Sequence, residues 1–402
     1  MKTKIIIISH GMRIGGVERS LIGLLNAFDY EKYDVDLFLY IHDGEFMSLI
    51  PKRVNLLHEI KKYTSLLISV RENIMNGYFD ILAEKIYASF KSYFFYKKNK
   101  LGDQNLVYMD YQQKYTVYSL PKINSSKEYD LAISFMNPHY IAATKVKSVK
   151  KIAWIHTDYS FFEFDKKSEL NIWGKYDYIA SISDSVTDSF LQQFPSLSDK
   201  IVLIENILSP NFIREQASII DVNTEMPKEK DTVSLCSAGR FTHAKNFDNV
   251  PFICKKLLET GCNVKWYLIG YGGDEDLIRS KIEETGMQEH VIIIGKKENP
   301  YPYMKACDIY VQPSRFEGKA VTVREAQILC KPVVITNFTT SGSQLKNGID
   351  GIIVPIDNDG CVHGIKSLIE NKKLQELLIE NCRNSDFGNE KEIEKIYSII
   401  NK

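Results

Sequence analysis

Residues 4–40 read KIIIISHGMRIGGVERSLIGLLNAFDYEKYDVDLFLY, and the order of their parts decides the fold. Ile5 to Ile8 form an unbroken apolar run between polar residues. Such a run suits a strand buried on both faces of a parallel sheet. A glycine-bearing loop follows, Gly11-Met12-Arg13-Ile14-Gly15-Gly16. A helix then begins near Val17 and runs to about Ala27, and 34–40 is a second strand. Strand, glycine loop, helix and strand in that order open a doubly wound α/β sheet.

Outward from this stretch the same rhythm continues. Strands are expected at 131–135, 151–155, 178–181 and 201–204, with helical patterns between most of them. Residues 61–122 interrupt it with tyrosines and phenylalanines at helical spacing, including Lys91-Ser92-Tyr93-Phe94-Phe95-Tyr96-Lys97-Lys98. This segment reads as an aromatic, basic insertion. The polar stretch 209–231, with Pro210 and Pro227, reads as a linker between domains. A second α/β series follows, with strands at 233–238, 264–269, 291–294, 309–312, 333–335 and 351–354. The expected organisation is an N-terminal Rossmann-like domain over 1–208, a linker over 209–231 and a C-terminal Rossmann-like domain over 232–385. Residues 386–402 form a terminal helix that packs back on the first domain.

Composition excludes several classes. A chain of 402 residues is long for one core, which favours two domains. Its 51 basic and 51 acidic side chains give no field for a nucleic-acid partner. Within 50–127, however, 13 Lys and Arg face 6 Asp and Glu, a local excess that suits an anionic surface. The seven cysteines all lie beyond residue 235, none in a CxxC pair, and read as reduced structural thiols of a cytosolic protein. No apolar run approaches the length of a signal-peptide core or a membrane span.

The chemistry concentrates at 311–355, VQPSRFEGKAVTVREAQILCKPVVITNFTTSGSQLKNGIDGIIVP. A strand ends at Gln312, a loop carries Ser314, Glu317 and Gly318, and a helix starts near Val321. Unpaired first-turn amides and the helix dipole make such a start an anion site suited to a pyrophosphate. Glu317 and Glu325 repel phosphate but can accept from the hydroxyls of a sugar or a ribose. On spacing alone they read equally well as solvated residues of a capped helix. A second cluster, Gly239-Arg240-Phe241-Thr242-His243-Ala244-Lys245-Asn246, follows the first strand of the second domain. There Arg240 and Lys245 reach the carboxyl end of the sheet, where ligands of open α/β folds bind. Gly270-Tyr271-Gly272-Gly273 is a weak glycine turn. In the first domain Gly15-Gly16 falls short of GxGxxG, which argues against a dinucleotide cofactor. His156 follows the strand 151–155; the other seven histidines show no comparable placement. Asp34-Val35-Asp36 and Asp274-Glu275-Asp276 read as structural rather than as metal motifs.

Together these clusters resemble family 4 glycosyltransferases of the GT-B fold, across nearly the whole chain outside the insertion. The resemblance is most specific at Glu317-x7-Glu325, and it extends to Lys331-Pro332-Val333-Val334, Asn347-Gly348-x-x-Gly351, Gly239-Arg240 with Lys245, Gly15-Gly16 and His156. It implies two Rossmann-like domains, with a nucleoside-diphosphate-sugar donor on the second. Arg240, Lys245 and backbone amides around Gly318, Lys319, Ala320 and Val321 would hold the diphosphate, with Gly15 and Gly16 contributing from the first domain. Glu325 would take the ribose, Glu317 and His156 the donor sugar, and the segment after Gly295 the base. Catalytic roles fall to Glu317, His156, Arg240 and Lys245. The resemblance further implies retention of anomeric configuration, with no metal and no cofactor. Many relatives carry Glu-Gly-Phe-Gly where this chain has Glu317-Gly318-Lys319-Ala320, and that variant is similar to the branch making bacterial capsular and exopolysaccharides.

The expected function is therefore sugar transfer to a glycan acceptor, lipid-linked, in bacterial surface polysaccharide synthesis. The protein would be cytoplasmic and peripheral at the inner face of the plasma membrane, with the insertion against an anionic bilayer. Two other readings stay open at this level: a catalytically silent sugar-nucleotide-binding protein and a non-hydrolysing sugar-nucleotide epimerase. Both keep the sheets, but neither requires Glu317, Arg240 and Lys245 together.

Overall fold

The computed structural model describes residues 2–13, 15–102, 106–157, 159–160, 162–317 and 320–402. The chain divides into two compact units, Met1–Ile207 with Asn389–Lys402, and Leu208–Gly388.

The first unit is built on a seven-stranded sheet. Its strands are β1 (Thr3–Ser9), β2 (Tyr33–Leu39), β3 (Asn55–Leu56), β4 (Tyr129–Ser134), β5 (Ser148–Ile155), β6 (Tyr178–Ser181) and β7 (Ile201–Leu203). They lie in the order β3-β2-β1-β4-β5-β6-β7, every pair parallel. Ile5 to Ile8 are wholly buried, as an apolar run at the centre of a parallel sheet must be. Ile5 pairs with Val35 on one side and Leu131 on the other. Chain order reverses between β1 and β4, so the loops after those strands diverge around a crevice. Asp36 is structural: its carboxylate accepts from Tyr129 Oη at 2.6 Å, Asn55 Nδ2 at 2.8 Å and Lys127 Nζ at 2.9 Å.

The insertion is helical, over Lys61–Thr64, Val70–Met75, Phe79–Asn99 and Val107–Thr116. Ala88, Val107 and Tyr111 form a small core of their own beside the main one. The terminal segment belongs to this unit. Tyr397 stacks on Tyr33 with ring centroids 4.2 Å apart, and its hydroxyl accepts from Asp29 N at 2.8 Å. Lys150 Nζ donates to the carbonyls of Ile399 and Ile400 at 2.9 and 3.1 Å.

The second unit carries β8 (Val233–Ala238), β9 (Val264–Ile269), β10 (Val291–Gly295), β11 (Ile309–Gln312), β12 (Val333–Thr336) and β13 (Ile352–Val354). The sheet order is β10-β9-β8-β11-β12-β13, again parallel, with its reversal between β8 and β11. Residues 209–231, expected as a linker, are instead built into this unit. Pro210–Gln216 is a helix capped by Ser209. Ile213, Ala217, Val222 and Met226 are buried with Cys236, Tyr267 and Tyr303. The stretch looked like a linker because its few apolar residues are spaced irregularly, yet these four reach the core while Ile219 and Ile220 stay exposed.

The described cysteines are free and mostly buried. Burial pushes the Cys254, Cys361 and Cys382 thiols up to about 12, so they stay protonated and inert. Among the described residues no helix is long and apolar enough to cross a membrane.

Candidate active site

The reversal in the second sheet brings two loops to one place. One follows β8 and the other follows β11, and a set of side-chain and backbone contacts joins them, among them Arg315 Nη1 to the His243 carbonyl at 2.8 Å. Lys245 Nζ donates to Glu317 Oε1 at 2.5 Å. Asn246 Nδ2 donates to the Pro313 carbonyl at 2.9 Å. Arg315 N donates to the Ala244 carbonyl at 2.8 Å. The Arg315 guanidinium grips Asp248 in a fork, at 2.8 and 2.7 Å. Burial alone would raise the Asp248 carboxyl, but that fork outweighs it and holds the group below the usual carboxylate range.

Glu317 is mostly buried and its Oε1 is heavily subscribed. Besides Lys245 it accepts from Ser314 Oγ at 2.6 Å and from Gln312 Nε2 at 3.3 Å. Gln312 lies at the very end of β11 and is fully buried. Its side-chain Oε1 accepts from Tyr310 Oη at 2.8 Å and Thr322 Oγ1 at 3.3 Å. Thr340 Oγ1 donates to the Glu317 carbonyl at 2.8 Å. Backbone and side chain of Glu317 are thus both fixed, and among the described residues no donor reaches Oε2.

Glu325 sits in the helix Val321–Ile328, fully buried, and accepts from Tyr301 Oη at 2.8 Å. Arg240 is exposed and makes no ion pair or hydrogen bond among the described residues. Gly318 and Lys319 lie outside the described residues. The Ala320 amide, expected among the free donors, already donates to Gln344 Oε1 at 3.0 Å. Val321 is therefore the first helical residue whose amide the site can offer.

The glycine turn after β9 has a geometric reason. A Cβ on Gly270 would lie 1.9 Å from the Gly239 carbonyl oxygen, and one on Gly272 would lie 2.3 Å from that of Phe241. Phe241 N donates to the Tyr271 carbonyl at 2.8 Å, and Gly270 N to that of Gly295 at 2.9 Å. The two glycines let the β9 loop press flat on the loop bearing Arg240, with Gly295 behind it.

The first unit offers a different chemistry. Gly15 caps the helix Gly16–Ala27, and a Cβ on Gly16 would meet only open space. His156 follows β5 directly, its ring 4.6 Å from that of Phe135. Burial pushes it down to about 3, so it is neutral near pH 7 and offers hydrogen bonds without charge. Sequence reasoning passed over two companions. His10 directly follows β1, just as His156 follows β5, and strand ends alone could have found it. His139 sits five residues past β4 behind a proline, with no pattern to mark it. Burial lowers them to about 4 and about 3. The Nε2 atoms of all three are buried without a partner among the described residues. Gln312, Arg315, Asp248, Tyr301 and Gln344 were also missed; each acts through a partner distant in sequence.

Comparison with known proteins bears on the fold and on the second unit. Residues 221–385 match the family model described as glycosyl transferases group 1. An N-acetylgalactosamine-N,N'-diacetylbacillosaminyl-diphospho-undecaprenol 4-alpha-N-acetylgalactosaminyltransferase of Campylobacter jejuni is 26% identical over 207 residues, 51% of this chain and 54% of that protein. The capsular polysaccharide biosynthesis glycosyltransferase CapM of Staphylococcus aureus is 26% identical over 211 residues, 51% and 55% of the two chains. The chain thus spans about half the length of the curated relatives it matches. A crystal structure of Anabaena HepE in complex with UDP and glucose has the same fold, with a TM-score of 0.64 at 15% identity over 100% of both chains. Two parallel sheets of Rossmann order give this chain the GT-B fold, and the unit that carries Lys245 and Glu317 is the part that matches the group 1 glycosyl transferases.

Proposed function

We propose that this protein moves a sugar, with retention, from a nucleoside-diphosphate sugar to a lipid-linked glycan acceptor in bacterial surface polysaccharide synthesis. The observation that carries the reading is the contact between Lys245 and Glu317 at the reversal of the second sheet. A lysine ammonium has three protons and Glu317 takes one, so two remain for a diphosphate. Arg240, exposed and unengaged among the described residues, supplies a second cation from the same loop. Glu317 Oε2 can accept from a sugar hydroxyl while Oε1 stays on its three donors. Glu325 is assigned to the ribose, Gly295 to the base pocket, and Gly15, Gly16 and His156 to donor contacts from the first unit.

The chemistry follows from charge. The bond from C1 to the diphosphate breaks, leaving negative charge on phosphate and positive charge on the sugar. Lys245 and Arg240 stabilise the first as fixed cations, so no metal is assigned to the step. The new bond to C1 forms on the face the diphosphate leaves, and a phosphate oxygen takes the acceptor's hydroxyl proton. An α-linked product, as named for the Campylobacter relative, is what retention gives from an α-configured donor. A lipid-linked acceptor would be met at the inner face of the plasma membrane, with the protein peripheral there.

The test is a panel of nucleoside-diphosphate sugars with the purified chain in excess EDTA. Thermal shift reads donor binding, and NMR reads the anomer formed on a polyprenyl-diphosphate-linked amino sugar. One donor that stabilises the protein and gives the α product supports the proposal. A panel with no shift, an inverted product, or transfer that requires a divalent metal overturns the corresponding part.

A further inference from the structure

The helix Phe79–Asn99 has two opposed faces. Ile81, Lys85, Ala88 and Ser92 are buried on one of them. Phe79, Ile86, Tyr87, Phe90, Tyr93 and Phe94 are exposed. At 100° per residue these six fall within about 120° of arc, away from the buried set. Phe90 and Phe94, 58% and 53% exposed, pack ring to ring at 4.5 Å, and Tyr93 meets Phe94 at 5.7 Å. The stripe is therefore ordered largely by its own contacts; Tyr87 at its edge meets the Tyr115 ring at 4.9 Å, and the other five are more than half exposed among the described residues.

Its border is basic. From residue 85 to 100 the chain carries five lysines and no acidic residue. Lys85 turns inward, donating to the Ser65 carbonyl at 2.7 Å. The others point outward, and two lie against rings of the stripe. Lys91 Nζ is 5.5 Å from the Tyr87 centroid and Lys97 Nζ is 5.7 Å from that of Tyr93. The acidic groups at the start of the helix are already engaged, Asp80 by Lys62 and Glu84 by Ser119. An apolar stripe edged by lysines, on a helix too polar to insert, matches the interfacial zone of an anionic bilayer. There aromatics enter the acyl boundary and ammonium groups stay among acidic headgroups.

We infer that this face of the helix docks on an anionic lipid bilayer. A second copy of the chain is the weaker occupant, because two such faces would set the same lysines against each other. The docking rests on the proposed function only for what the protein meets at the membrane. Co-sedimentation of the full chain with vesicles of phosphatidylcholine alone, or with phosphatidylglycerol added at three parts in ten, decides it. Wild type should partition at least tenfold more strongly onto the anionic vesicles, and salt should weaken that binding. Phe90→Ser with Phe94→Ser, and separately Lys91→Glu with Lys98→Glu, should each lower it about tenfold with an unchanged circular dichroism spectrum. No preference for anionic vesicles, or binding that survives both double substitutions, overturns the inference. Self-association removed by the phenylalanine pair without vesicle binding would assign the face to a second copy and overturn it too. UDP binding, followed by thermal shift in the same variants, should not change. If wild type gives no UDP shift but binds vesicles, the donor-site reading fails and the docking face stands.

Discussion

Lys245 Nζ and Glu317 Oε1 meet at 2.5 Å although 72 residues separate them, each carried to the same point by the reversal of the second sheet. Both side chains are mostly buried, 18% and 11% exposed. Partial burial makes such a contact stronger than a surface ion pair and costly to break from one side. On the proposed function, a diphosphate arriving here would meet a cation already oriented. Lys245→Ala and Glu317→Ala should each lower kcat by about 100-fold or more, the loss typical of one fixed donor at a developing charge. Glu317→Gln, which keeps shape and hydrogen bonding, should retain the fold and still lose most of the rate. Steady-state transfer beside a thermal melt checks this, and a fully active, folded Lys245→Ala variant would remove the assignment.

Gln312 acts through Glu317. Buried at the end of β11, it donates to Ser314 and Glu317 while accepting from Tyr310 and Thr322. Gln312→Met fills the same space without the donors. The carboxylate of Glu317 should then be free to rotate, lowering kcat about tenfold or more while KM for the donor changes less than threefold, as for an interaction that matters mainly in the transition state. A purely structural role would lower stability and leave the rate of the folded fraction unchanged, so rates normalised to folded protein separate the two.

Legibility in the sequence followed how local each signal was. The Ile5–Ile8 strand, the helix Gly16–Ala27 and the parallel sheet declare themselves because apolar periodicity is carried within a few residues. β3 was missed because two residues at a sheet edge have no periodicity to read. Glu317, Lys245 and Arg240 could be named because their loops follow strands that end in a parallel sheet. The pairing of Arg315 with Asp248 could not, because nothing local says that position 315 lies beside position 248. The stretch 209–231 misled for the opposite reason: polar composition suggested solvent, whereas Met226 and Val222 are core residues.

The Arg315–Asp248 fork should therefore behave as a clamp on the two site loops. It is about one-fifth exposed and bidentate, which makes it worth more than an open surface pair. Arg315→Met should destabilise the second unit by about 1–3 kcal/mol and weaken donor binding, because Lys245 rides on the same loop. Asp248→Asn in the Arg315→Met background should cost little more, since the partner is already gone. Denaturant titration of the four-member cycle reads the coupling, and additive losses would mean that the clamp is not there.

Gly270→Ala tests the close approach of the β9 loop. The added Cβ would fall 1.9 Å from the Gly239 carbonyl, at a residue with φ of +151°, so neither the space nor the backbone tolerates it. The loop must lift away from Phe241 and take the neighbouring Arg240 with it. Expected outcomes are a lower melting temperature and a donor affinity reduced about tenfold or more. Gly273→Ala, where a Cβ meets nothing, is the control and should leave both unchanged. Equal behaviour of the two variants would show that the contact is not needed.

The first unit holds a carboxyl whose titration should be visible in stability. Glu169 is buried on the helix Lys166–Trp173, where Oε2 accepts from Trp173 Nε1 at 2.7 Å and Tyr159 Oη at 3.0 Å. Burial, and then the nearby charge of Asp110, raise it from its ordinary 4.5 to about 7. Asp110 is itself raised by burial, and its Oδ2 accepts from Ser168 Oγ at 2.7 Å. Asp165 adds a further negative charge, and Lys114, which donates to Ser168 Oγ at 2.8 Å, partly offsets Asp110. A group with a raised folded pKa stabilises the fold fully below its unfolded value, and that contribution is lost as pH rises through the folded value. Wild type should thus lose stability between about pH 5 and pH 8. The loss attributable to Glu169 is at most about 3–4 kcal/mol, from about 1.4 kcal/mol per unit over the interval between the two values. Glu169→Gln keeps an acceptor for Tyr159 and Trp173 but carries no charge. It should therefore melt several degrees above wild type at pH 8 and no higher than wild type at pH 5. A variant whose melting curve runs parallel to wild type across that range would show that Glu169 is already ionised in the folded protein.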